Sequence, residues 1–121
     1  VDIRNRVVGK VHDDIPDKLS GNEDAMAYFG VIKPFLEEHE LGEKDLLSAS
    51  ADTAIAIHDI LKKYRKVHFW DDYDAQKQAV NEIDDYFYDE LKTERGIELS
   101  LDQMDKIIEK VLQVAKHRSY N

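Results

Sequence analysis

The carboxylates are the residues of this chain with the most obvious chemical potential. Asp13-Asp14 and Asp84-Asp85 place acids close enough in sequence to suggest divalent-ion binding or acid and base chemistry. Neighbours on a helix point about 100° apart, so each pair reads first as solvated surface and second as an interface or salt bridge. Asp85 and Asp89 do share a face, as an i,i+4 pair. Their repulsion costs roughly a few tenths of a kcal/mol, which a basic partner surface would relieve. Pro16-Asp17 and Glu90-Leu91-Lys92 superficially spell the parts of a metal-dependent nuclease core. Such parts act from adjacent strands, whereas here one begins a turn and the other closes a helix. The histidines, His12, His39, His58, His68 and His117, form no H-x-x-x-H pair and no H-E-x-x-H helix. His58, between Ile57 and Leu61, reads as a core histidine. Ser48 and Ser50 lack a nucleophile elbow, and the glycines stand too far apart for a phosphate loop. The expectation is a chain with no catalytic residue, no metal site and no cofactor of its own.

Two other groups of residues point to binding. In Lys62-Lys63-Tyr64-Arg65-Lys66, the residues Lys62, Arg65 and Lys66 fall at i, i+3 and i+4 and could meet successive phosphates. The competing reading is structural: cations in the last turn of a helix complement its dipole and face the acidic stretch that follows. Any DNA contact here is expected to be sequence-neutral, since nothing resembles a recognition helix. Aromatics gather at Phe69, Trp70, Tyr73, Tyr86, Phe87 and Tyr88. Three consecutive rings span about 200° of a helix and cannot all face one core. Trp70 and Tyr88, with the acids Asp85 and Asp89, are therefore candidates for a protein interface.

The elements that must hold these residues are helices. Ile3, Val7, Val8, Val11 and Ile15 fit one helical face, limited by Pro16. A Ser20-Gly21-Asn22 turn leads into a helix over residues 23–40, which Pro34 should kink or split. A third helical region runs from about residue 43 to 67, with Ser48 to Asp52 a place where it could break. Ala51, Ala54, Ile57, Leu61 and Tyr64 form its apolar stripe, widened by Ile55 and Ile60, so it should be central and packed on more than one side. Asp71 or Asp72 can cap the next helix, where Ala75, Ala79, Val80, Ile83, Tyr86, Phe87 and Leu91 recur at helical spacing. Gly96 ends that segment. Ser100 with Gln103 makes a capping box for a last helix carrying Leu101, Met104, Ile107, Ile108, Val111, Leu112 and Ala115. No strand pattern competes, and the fold class is all-α: one bundle of about five helices over residues 1–121.

Composition agrees with a single globular unit: 121 residues, 42% apolar, 5 Gly and 2 Pro. No apolar run approaches the ~18 residues needed to cross a bilayer, and Val1-Asp2-Ile3-Arg4 has no signal-peptide character. With no cysteine, a cytoplasmic location is expected. A first residue of Val reads as excision from something longer, or as a processed N-terminus. The net charge of −9 argues against a general nucleic-acid binder. From Asp71 to Glu109 there are 13 acidic residues against 4 basic ones, so that stretch alone accounts for the net charge.

The strings Phe69-Trp70-Asp71-Asp72-Tyr73, Asn81-Glu82-Ile83-Asp84-Asp85-Tyr86-Phe87-Tyr88-Asp89 and Arg95-Gly96-Ile97-Glu98-Leu99 resemble the C-terminal tail of type I restriction motor subunits. The helix from Met104 to Arg118 is similar to the end of the same tail, so the resemblance covers residues 69–118 best. It implies a parent subunit that translocates DNA with ATP and Mg2+ and cleaves it as a type I site-specific deoxyribonuclease, with both activities outside this chain. Nuclease and ATPase motifs of that family have no counterpart here. The implied role is non-catalytic: docking onto the methyltransferase and specificity subunits and onto other domains of the parent, with duplex DNA a further possible partner and no membrane.

Overall fold

The computed structural model describes residues 16–65 and 68–119. The helix expected over residues 3–15, with its basic residues, His12 and Asp13-Asp14, lies outside the described residues, as does Lys66. Among the described residues the structure is all-α, with four α-helices and no strand. A 3-10 turn at Asp17–Leu19 precedes α1 (Glu23–Glu37), which is followed by α2 (Glu43–Tyr64). A second 3-10 turn, Phe69–Asp71, leads into α3 (Tyr73–Tyr86), which runs directly into a π-helical segment, Phe87–Glu94. The last helix, α4, is Leu101–Ser119.

Helix starts follow the capping chemistry of the sequence. Asn22 accepts a hydrogen bond from the Ala25 N–H at 3.0 Å, and Asp72 accepts one from the Ala75 N–H at 3.1 Å. At α4 the capping box closes in both directions: the Gln103 N–H donates to Ser100 Oγ at 3.0 Å and the Ser100 N–H to Gln103 Oε1 at 3.1 Å.

α1 and α2 together form the centre: they pack on each other, α2 also packs on α3, and α1 also packs on α4. The buried residues of α2 include Ala49, Ser50, Ala51, Thr53 and Ala54, small side chains that let neighbouring helices approach closely, and then Ile57 and Leu61. From the other helices Tyr28, Ile32 and Leu36, Ala79 and Ile83, and Ile107, Val111 and Ala115 complete the core.

The structure corrects the sequence in three places. α2 is unbroken through Ser48 to Asp52. Within that stretch Asp52 forms ion pairs with Lys18 at 2.7 Å and with Arg95. α1 is likewise not split at Pro34 and continues through it as one helix. The carbonyl that loses its helical donor belongs to Gly30, which is exposed and has no side chain, so water can reach it. Pro34→Ala is expected to restore that bond and raise the unfolding free energy by about 1–3 kcal/mol, read as a higher urea midpoint with an unchanged slope. An unchanged or lowered midpoint would show that the proline is already accommodated without cost.

The third correction concerns winding. Ala79, Ile83, Phe87 and Leu91 are all buried, yet four-residue steps overshoot an α-helical turn by about 40° each. By Leu91 the accumulated drift would carry the side chain off the core face. Widening the helix at Phe87 brings it back, and Thr93 Oγ1 donates to the Tyr88 carbonyl, five residues earlier, at 2.9 Å. The segment closes at Gly96, whose φ of 71° is left-handed. The Gly96 N–H donates to the Lys92 carbonyl at 3.1 Å and the Ile97 N–H to the Leu91 carbonyl at 2.7 Å. This is a glycine-terminated nested pair, one residue wider than at the end of an α-helix.

Candidate functional site

Beyond the core, α3 and the π segment present an outer face. Asp85 and Asp89 are exposed, and Tyr88 between them is 45% exposed. The spacing, i, i+3 and i+4, keeps the three on one side. Lys92 Nζ lies 5.7 Å from the centre of the Tyr88 ring, a cation–π contact that steadies the ring in its outward position. The adjacent rings are used otherwise: Phe87 is buried and Tyr86 half-buried. Burial pushes the Tyr86 hydroxyl above its ordinary pKa.

Trp70 does not join this face. It is half-buried against the core, edge-on to Phe69 with ring centres 4.8 Å apart, in the turn before α3, whereas Tyr88 lies beyond that helix's C-terminal end. The sequence also missed two exposed apolar side chains, Tyr73 at 74% and Leu101 at 68%. Both stand in the first turn of a helix, where apolar periodicity is a poor guide to burial.

On the same acidic segment, Asp84 is half-buried and faces Asp105 of α4. Burial, then Asp105 and Asp85, raise its pKa above the usual carboxylate range. A carboxyl with a raised folded-state pKa binds its proton more tightly folded than unfolded, so stability falls as pH rises from the unfolded value through the folded one. Asp84→Asn is expected to flatten that fall and, because solvent still screens this partly exposed site, to raise stability at neutral pH by only about a few tenths of a kcal/mol. Urea midpoints measured from pH 3 to 7 would check this; identical pH profiles for variant and parent would contradict it.

The basic run is divided by the end of α2. Lys62 is exposed. Lys63 reaches across to α3 and pairs with Glu82 at 2.9 Å, and the Tyr64 hydroxyl donates to the same carboxylate. Those two bonds, Tyr64 first, hold Glu82 below the usual carboxylate range. Arg65 shares a helix face with His58 and Lys62, as the spacing implied for Lys62 and Arg65. It caps α2 with ψ at 88°, its N–H donating to the Leu61 carbonyl at 2.7 Å, and its side chain comes near Tyr28 of α1.

Arg65 therefore borders a cavity of about 280 Å³, together with Asp24, His58 and Lys62. His58 is half-buried at this wall and is not the core histidine that its apolar neighbours suggested. Asp24 is bound by Arg118 of α4, Nε to Oδ1 at 2.5 Å. Tyr28 is fully buried, with its hydroxyl beside the Arg65 guanidinium. Burial and, second, the Asp24 carboxylate push its pKa up, so at neutral pH it carries its proton. Among the described residues no group of His, Asp or Glu is arranged to hold a metal ion, and no helix is long and apolar enough to cross a membrane.

Comparison with family models, with curated proteins and with solved structures gives no match to this chain.

Proposed function

We propose that this chain is a non-catalytic assembly domain of a type I restriction enzyme's motor subunit, docking that subunit onto the methyltransferase and specificity core in the cytoplasm. One observation carries the reading furthest: the outer face on which a 45% exposed Tyr88 stands between Asp85 and Asp89. An aromatic ring flanked by unpaired like charges suits the centre of an interface whose partner is basic. The resemblance of residues 69–118 to the motor-subunit tail supplies the partner. ATP and Mg2+ would be bound by other parts of the parent, whose translocation and cleavage this domain would serve by assembly alone.

The test is sedimentation of the parent subunit, with and without this segment, mixed with the methyltransferase and specificity core in the absence of DNA. Docking predicts that deletion abolishes the complex while the truncated subunit stays folded and keeps basal ATPase activity. A complex that forms unchanged removes the assembly role.

The second reading is sequence-neutral contact with a DNA backbone through Lys62, Lys63, Arg65 and Lys66. The pairing of Lys63 with Glu82 engages one of these charges, which leaves Lys62 and Arg65, among the described residues, as the cations of that run outside an ion pair. The salt slope of duplex binding by this chain should then be shallow, near that of one or two phosphate contacts.

A further inference from the structure

We propose that the Tyr88 face is covered within the chain itself by residues 3–12, a cationic and apolar segment that enters the fold beside the π segment. The contact concerns this chain alone and does not depend on the docking reading.

The face lacks a cation of its own. From Asp84 to Glu94 the sequence carries five carboxylates and one basic residue, Lys92. Asp85, Asp89, Glu90 and Glu94 are exposed, while Lys92 is committed to the Tyr88 ring at 5.7 Å and to Glu98 at 3.5 Å. A complementary surface must therefore be basic, with apolar side chains to cover the exposed part of the ring.

One segment of the chain has that chemistry. Ile3-Arg4-Asn5-Arg6-Val7-Val8-Gly9-Lys10-Val11-His12 holds three cations, four branched aliphatic side chains and no acid. The other basic groups are placed elsewhere: Lys63 pairs with Glu82 at 2.9 Å, Arg118 holds Asp24 at the start of α1, and Lys110 borders a groove with Val31 and Phe35 of α1.

The same segment joins the fold in the right place. Pro16 leads into the 3-10 turn whose Lys18 pairs with Asp52 at 2.7 Å, and that carboxylate also binds Arg95, the residue that caps the π segment. Asp52 thus ties the root of the N-terminal segment to the end of the acidic face. Tyr88 stands seven residues before Arg95, roughly 10 Å along the helix, and an extended chain covers about 3.3–3.6 Å per residue. Residues 3–12 therefore have the length to reach Asp85, Tyr88 and Asp89. Arg4, Arg6 and Lys10 supply the charge that the carboxylates lack, and the aliphatic residues supply apolar cover for the ring.

The chain has no cysteine, so Asn5→Cys gives a single attachment point for a nitroxide spin label in the full 121-residue chain. The amide resonances of Asp85, Tyr88 and Asp89 are expected to show the strongest loss of intensity while the label is oxidised and to recover when it is reduced. Val31, Phe35 and Lys110 should be little affected. Arg4→Glu, Arg6→Glu and Lys10→Glu together should abolish the loss, and the rest of the spectrum reports whether each chain is folded. Several results overturn the proposal. One is no selective loss at the three residues, and another is a stronger loss at Val31, Phe35 and Lys110, which puts the segment on the other groove. A loss that survives the triple charge reversal also overturns it. So does the same loss when spin-labelled chain is mixed with isotope-enriched unlabelled chain, since the donor is then a second copy. The measurement contains no partner protein, so its result stands or falls apart from the docking reading.

Discussion

Replacing Tyr88 by Ala together with Asp85→Lys and Asp89→Lys should abolish docking onto the methyltransferase and specificity core, weakening it by roughly a hundredfold or more. Truncating a central aromatic at an interface commonly costs about 2 kcal/mol or more. Reversing two flanking charges converts attraction to a basic partner into repulsion. The fold should survive, since all three side chains point outward and the buried residues of the segment, Ile83, Phe87 and Leu91, are untouched. Exchanging the Asp85–Asp89 like-charge pair for Lys–Lys leaves the local repulsion much as it was. Sedimentation equilibrium with the core measures the loss, with helical circular dichroism as the control for folding. If the triple variant binds as the parent does, this face is not the docking surface. Trp70→Ala provides the contrast: it should lower stability by loosening the packing against Phe69, with little effect on docking by the folded fraction.

The largest effect on stability is expected at Ile57. It is fully buried on α2, the helix that packs on both α1 and α3, so Ile57→Ala would open a cavity that several elements cannot close together. The expected loss is about 2–5 kcal/mol, a large part of the roughly 5–15 kcal/mol by which a typical domain is stable. Ile60→Ala, three residues on but only half-buried, should cost clearly less, because part of that side chain is already in water. Urea unfolding of both variants measures the difference through the midpoint, given equal slopes. Equal losses at the two positions would mean that Ile57 is no more deeply packed than Ile60.

Much of the local structure was legible because its causes are local. Asn22, Asp72 and the Ser100–Gln103 pair mark helix starts by satisfying backbone N–H groups within three residues, and Gly96 marks a stop by tolerating a left-handed φ. The π winding left a fainter trace in the four-residue spacing of Ala79, Ile83, Phe87 and Leu91. That spacing looks helical in any short window and departs from the α-helical period only over several turns. The outer face was legible in part: Asp85, Tyr88 and Asp89 share a side by spacing alone, but whether Tyr88 or Trp70 stood in solvent depended on how Phe69 and the core were arranged.

By itself, then, the sequence determined the helical class, the helix termini and the one-signed charge of the segment from Asp71 to Glu109, because each follows from periodicity, capping or composition within a few turns. The tertiary structure decided which competing local tendencies were expressed. α2 ran unbroken past Asp52, which became an ion-pair partner of Lys18 and Arg95, and α1 was not split at Pro34. It also decided that Arg65, at the end of α2, would lie beside a buried Tyr28 thirty-seven positions earlier. Such outcomes depend on groups distant in sequence, whose charges and surfaces meet only after the helices have packed.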